Sequence, residues 1–191
     1  LEFNSKIITI DDISKQLKIT LPSAKILASR YVKKGILIRL KRNFYTTKLL
    51  WEKLTTEDLF EIANFLQTSS YVSLNTALSY YGITTQQIRN VIESIAIKLC
   101  RIFEIKDFEF RFTLIKKDLY FGFERQDNFF IATPEKAFFD IIYLESLGRY
   151  KTDYDAIDFK KLNLKQVTKF IKTSPLLTKR FFEKLCETYK L

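Results

Sequence analysis

The chain has 191 residues, 32 Lys and Arg against 22 Asp and Glu, and therefore a net charge of +10. It contains no His, which removes Ser-His-Asp and Cys-His triads and every His-containing zinc site. Its four glycines (Gly35, Gly82, Gly122, Gly148) lie at least 26 residues apart, which excludes a Walker loop or a GxGxxG turn.

The first five residues include Glu2, and no apolar core follows them. No secretory signal is expected, and the expected location is the cytoplasm. A chain that begins with Leu and lacks Met is expected to have a longer natural start. Thr9 can cap a short helix, with Asp11 and Asp12 in its first turn and Ile10, Ile13 and Leu17 on one apolar face. Lys18-Ile19-Thr20 reads as a tight turn. Thr20 then caps a second helix with Pro22 in its first turn, running to about Lys34 and stopping at Gly35. Ala24, Leu27, Ala28 and Tyr31 form its apolar stripe. The opposite face carries Ser23, Ile26, Ser29, Arg30 and Lys33, with Lys25 and Lys34 beside it. Residues 36–46, which include Arg39, read as a β-hairpin with a basic tip, Lys41-Arg42-Asn43, and Asn43 in the turn.

Residues 1–54 hold 12 Lys and Arg and 4 Asp and Glu, a net +8. Helix, tight turn, basic helix and basic hairpin follow one another in the order of a winged helix-turn-helix. The sequence therefore predicts a DNA-binding domain over 1–54. Its expected DNA-contacting residues are Ser23, Lys25, Ile26, Ser29, Arg30, Lys33, Lys34, Arg39, Lys41 and Arg42. The helix would enter the major groove and the wing would touch phosphate or minor groove. The plainer alternative is a helical hairpin packed on a small sheet. The usual first helix of such a domain is not evident: either residues 1–8 form a fragment of it, or it was lost with the natural start.

Residues 55–147 carry a net −4. Residues 55–66 read as an amphipathic helix capped by Thr55 or Thr56, with Leu59, Ile62, Ala63 and Leu66 inside. Residues 74–81 read as a helix capped by Ser73 and ended by Gly82. The charge-free run 62–88 holds 13 Ser, Thr, Asn or Gln and is not a membrane span. The period then changes to two: in part around Val91, Ile95 and Ile97 and around Ile102 and Glu104, and strictly over residues 108–114. An antiparallel sheet is expected. Residues 120–131 predict a further hairpin around 124–127. Thr133-Pro134-Glu135-Lys136 opens a helix over 135–147 that carries Ala137, Phe138, Ile141 and Leu144. Residues 148–191 carry a net +6. They read as an exposed connector over 150–158 and two basic helices separated by Ser174-Pro175. The whole is an α+β chain in two parts: 1–54, and 55–191 with a basic helical tail over 148–191.

Other constellations are weaker. Glu104-Ile105-Lys106 has the ExK spacing of some metal-dependent nucleases, but strand alternation accounts for Glu104, Lys106 and Glu109 without catalysis. Asp153, Asp155 and Asp158 lack the Gly and final Glu of a calcium loop, since Asp158 and Leu164 stand there. They are expected to cap the next element. Phe108, Phe110 and Phe112 read as a buried sheet face in preference to a base-stacking platform. Cys100 and Cys186 read as small buried apolar residues in a reducing compartment.

Three stretches together resemble a known family: residues 71–82 (YVSLNTALSYYG), Phe121-Gly122-Phe123-Glu124, and residues 131–140 (IATPEKAFFD), in order after the winged-helix pattern. The series, over about 9–147, resembles the AbiEi antitoxins of type IV toxin–antitoxin systems. That resemblance implies a non-enzymatic cytoplasmic autorepressor, without a cofactor, whose N-terminal domain binds inverted repeats in double-stranded DNA at its own promoter. It also implies that the C-terminal region opposes a nucleotidyltransferase-type toxin, with or without direct contact. The alternatives are a plain winged-helix repressor without a toxin, and a metal-dependent nuclease.

Overall fold

The computed structural model describes Phe3, residues 5–86 and residues 89–191. Thr9 ends strand β1 (Ile8–Thr9) and caps helix α1 (Ile10–Leu17). Its hydroxyl accepts from the Asp12 N–H, while its own N–H donates to the Asp12 carboxylate at 2.8 Å, a reciprocal capping box. Lys18 ends α1 in the left-handed conformation (φ 53°), and Thr20 caps helix α2 (Leu21–Lys33). Gly35 (φ 71°) then turns the chain into strand β2 (Leu37–Lys41). Asn43 (φ 67°) turns it back into β3 (Phe44–Thr47), a conformation that Asn tolerates better than most residues. All three strands pair antiparallel in the order β1-β3-β2.

Ala24 and Ala28, on the inner stripe of α2, are fully buried with Ile8, Ile10, Ile13, Leu37 and Tyr45. Their small side chains let α2 lie close to that core. Of the 1–8 segment, Leu1, Glu2 and Asn4 lie outside the described residues, but Ile8 is strand, not the tail of a helix. Pairing with Tyr45 on β3 decides it. A single-turn helix α3 (Lys48–Trp51), capped by Thr47, follows without a signal in the sequence analysis. Helix α4 (Thr56–Leu66) begins at the Thr55 hydroxyl, and all four residues of its expected inner face are buried.

The chain divides into two compact units: Leu1–Leu59 with Glu104–Asp107, and Phe60–Phe103 with Phe108–Leu191. A six-stranded sheet follows, made of β4 (Ser70–Val72), β5 (Val91–Ala96), β6 (Arg101–Ile105), β7 (Phe108–Leu114), β8 (Phe123–Gln126) and β9 (Phe129–Ala132), and all of it but the last two residues of β6 lies in the second unit. Their order is β6-β7-β5-β4-β9-β8. The pairs β4–β5 and β8–β9 are antiparallel, whereas β5–β7 and β4–β9 are parallel. The expected antiparallel sheet is therefore a mixed one. Alternation reports which face of a strand is buried, and strand direction depends on partners distant in sequence. The alternation also misleads at β6, an outermost strand, where Ile102 faces water and Ile105 is inside.

Helices α5 (Leu74–Tyr80), α6 (Pro134–Ser146), α7 (Leu164–Lys172) and α8 (Leu176–Tyr189) complete the eight α-helices among the described residues, so the chain is α+β with two sheets. Phe110 and Phe112 are wholly buried, as a sheet face requires. Asp153 and Asp158 cap single 3-10 turns, Tyr154–Ala156 and Phe159–Lys161. The connector over 150–158 is exposed only in part: Lys151, Asp153, Asp155 and Asp158 are exposed, while Thr152, Tyr154 and Ile157 are buried. Cys100 is exposed and Cys186 half-buried, contrary to expectation. Cys100 sits in the turn between β5 and β6, where a small apolar side chain has no interior to enter. Gln87 and Ile88 of the charge-free run lie outside the described residues. Among the described residues no helix is long and apolar enough to cross a membrane.

Candidate nucleic-acid interface

Between Asp12 and Glu52 the sequence holds ten Lys and Arg and no acidic residue. Helix α2 lies in this stretch and spans about 20 Å. Its first turn has no acidic side chain, so nothing on the helix neutralises the positive end of its dipole. Arg30 and Lys33 lie in the last turn, where cations suit the opposite end. Lys25, Ser29 and Lys33 make one i, i+4 row. Ile26, Arg30 and Lys34 make the next. All of these, and Ser23, are exposed, while Ala24 and Ala28 hold the opposite side in the core. The Ser23 hydroxyl lies 2.9 Å from the capping Thr20 hydroxyl, which fixes it at the head of the helix.

The hairpin adds three cations. Arg39 is exposed on β2 opposite Tyr45, and a bulge after it places Leu40 inside. Arg42 is exposed at the tip. Lys41 is half-buried, with its ammonium 5.2 Å from the Phe44 ring centre, and burial pushes its pKa down. The ten residues selected from the sequence thus belong to one unit, on two neighbouring elements. Nine are exposed and Lys41 is partly covered. Such a set offers bidentate and point-charge donors to phosphate oxygens and to base edges.

Charged groups also lie at the expected helix starts Ser73 and Thr133-Pro134-Glu135-Lys136. Ser73 precedes α5 but does not cap it; Leu74 takes a left-handed φ of 58°, and the Ser73 hydroxyl donates to Asp140 at 2.8 Å. The Tyr71 hydroxyl donates to the same oxygen at 3.0 Å, and Lys136 pairs with the other. Lys136 and Asp140 are fully buried, and the ammonium lies 4.7 Å from the Phe139 ring centre and 4.9 Å from that of Phe121. Desolvation pushes the Asp140 carboxyl up and the Lys136 ammonium down, and each charge pulls the other back. A second cluster joins Asn75, Gln86 and Thr152, and beside it the Tyr150 hydroxyl donates to the buried Glu93 carboxyl. These bonds hold residues 150–153 to the unit. In the sequence this shows only as a Lys and an Asp one turn apart, set among the apolar residues 137–139 and 141–142 of α6.

Glu104 is exposed, and Lys106 has left the strand for the turn (φ 54°), so alternation does not carry through Lys106 as expected. Among the described residues no three His, Cys, Asp or Glu side chains gather as a metal site would require. No protein-family model matches the chain, and no curated protein matches it.

Proposed function

We propose that the chain is a sequence-specific DNA-binding regulator whose N-terminal part is a winged helix-turn-helix. One observation carries the reading: the exposed basic face of α2 and the basic tip of the β2–β3 hairpin stand in one unit free of acidic residues from Ile13 to Trp51. The sheet order β1-β3-β2, with α1 and α2 between β1 and β2, supports it. In this reading α2 enters the major groove of an inverted-repeat operator, and Lys41 and Arg42 lie on the backbone. The motifs over 71–82 and 131–140 extend the proposal to an AbiEi-type antitoxin that represses its own promoter and opposes a nucleotidyltransferase-type toxin. The protein acts by binding, in the cytoplasm, without turnover.

The test is duplex binding by the full chain, using duplexes enriched by the protein from a random pool. Arg30→Ala should weaken binding by ~1–3 kcal/mol if Arg30 reads a base. The double variant Arg30→Ala with Lys33→Ala should lose more. Unchanged affinity in the double variant would remove α2 as the reader. For the antitoxin part, a neighbouring nucleotidyltransferase-like reading frame, and rescue from that toxin on co-expression, are the expected results. Without them the plain repressor reading stands.

A further inference from the structure

At the centre of the solvent face of α2 stands an apolar side chain. Ile26 is 56% exposed. At about 100° per residue, the buried Ala24 and Ala28 lie about 160° and 200° around the helix from it, so Ile26 points directly away from the core. Its neighbours on the wheel are Lys33, Pro22, Arg30, Ser29 and Ser23, all exposed and all but Pro22 hydrogen-bond donors. The other exposed large apolar residue of α2, Leu21, stands about 140° away at the first turn, towards the core side. A β-branched apolar side chain at this position adds nothing to the core and little to helix propensity. Among major-groove edges, only the 5-methyl group of thymine is an apolar partner.

We infer that Ile26 is a specificity-determining residue that packs against a thymine 5-methyl group in the major groove, with the flanking polar side chains on neighbouring base edges and phosphates. The inference rests on the DNA-binding reading and goes beyond it: it names the chemical group that the centre of the helix selects. A fixed A·T pair is expected at the middle of each site that the helix reads. Removing that methyl group should weaken binding about fourfold, the transfer free energy of one buried carbon.

The experiment takes a duplex enriched by the full chain from a random pool and replaces each thymine in turn by deoxyuridine, which differs only in that methyl. Wild type should lose about fourfold at one thymine per half-site and nothing elsewhere. Ile26→Ala should bind the thymine duplex several-fold more weakly and no longer distinguish deoxyuridine at that position. Ile26→Val, which keeps a branched methyl surface, should retain the discrimination. Since Ile26 is exposed, these variants keep the fold, which circular dichroism checks. Tight, specific binding with no deoxyuridine effect would overturn the inference and leave the DNA reading intact, as would discrimination that persists in Ile26→Ala. Failure of wild type to enrich any duplex would overturn the DNA reading itself.

Discussion

Lys136 and Asp140 sit one turn apart on α6, wholly out of water, with three donors converging on one carboxylate. A buried pair of this kind costs desolvation, and removing one partner leaves the other charge stranded. Asp140→Ala should therefore destabilise by about 3–5 kcal/mol in urea unfolding, and Lys136→Met similarly. The double replacement Lys136→Met with Asp140→Leu should recover only part, because the Tyr71 and Ser73 hydroxyls lose their acceptor. A loss below about 1 kcal/mol in the single variants would show that the pair does not support the fold. Gly122 is the matching backbone site: its φ is +71°, and a Cβ there would stand 3.1 Å from the Lys136 stem. Gly122→Ala should cost about 1–3 kcal/mol. Gly148→Ala, with similar φ but open space around it, should cost less. Equal losses would mean that crowding on Lys136 is irrelevant.

At the scale of elements, β5 carries a carboxyl into the interior. Desolvation raises the Glu93 pKa, against the Tyr150 hydroxyl, the Arg111 charge and the N–H groups of Thr76 and Asn75, which all favour the charged form. A raised carboxyl pKa means that the folded state holds the proton more tightly than the unfolded chain. Glu93 therefore contributes stability at low pH that is lost as pH rises from the ordinary glutamate range through its raised value. Glu93→Gln keeps an acceptor for Tyr150 and removes the titration. Its stability relative to wild type should increase with pH across that window, read from urea midpoints. A difference that is flat with pH would contradict the assignment. The two lowered carboxyls, Asp12 and Asp58, act in the opposite direction and remain in both proteins, so the difference isolates Glu93.

Elements with local signals were legible: Thr9, Thr20, Thr55 and Thr133 each start a helix through a hydroxyl, and the turns at Gly35 and Asn43 take the backbone their residue types favour. Ser73 has the same local signal as those threonines, yet its hydroxyl serves Asp140, 67 residues away. Residues 150–158 read as an exposed connector, yet residues 150–153 are held by Asn75, Gln86 and Glu93. In both places a distant partner overrode the local reading.

At the scale of the molecule, charge is segregated: +8 over 1–54, −4 over 55–147 and +6 over 148–191. In the proposed DNA-binding reading, phosphate contacts by the first segment would release counterions, so duplex affinity should fall steeply with salt, with a log–log slope of about −0.9 per phosphate neutralised. Lys41→Ala should make that slope shallower by about one unit on any duplex, operator or not, because a hairpin-tip contact to the backbone carries no sequence information. A change confined to the operator would make Lys41 a base reader. Titration by fluorescence anisotropy across a salt series separates the two.

The candidate interface was legible from its residues because a helix face is a periodic property: small buried residues at one pole imply an exposed opposite pole, wherever the helix docks. The sequence by itself determined the helix starts at Thr9, Thr20, Thr55 and Thr133, the turns at Gly35 and Asn43, the basic face of α2 and the strict alternation of β7. Each depends on interactions within a few residues or on a repeat along one element. Tertiary structure alone decided the mixed sheet, β1 in place of a helix end, the convergence of the Tyr71 and Ser73 hydroxyls on Asp140 and the anchoring of residues 150–153. Each of these is a contact between residues far apart in the chain, whose geometry no local propensity encodes.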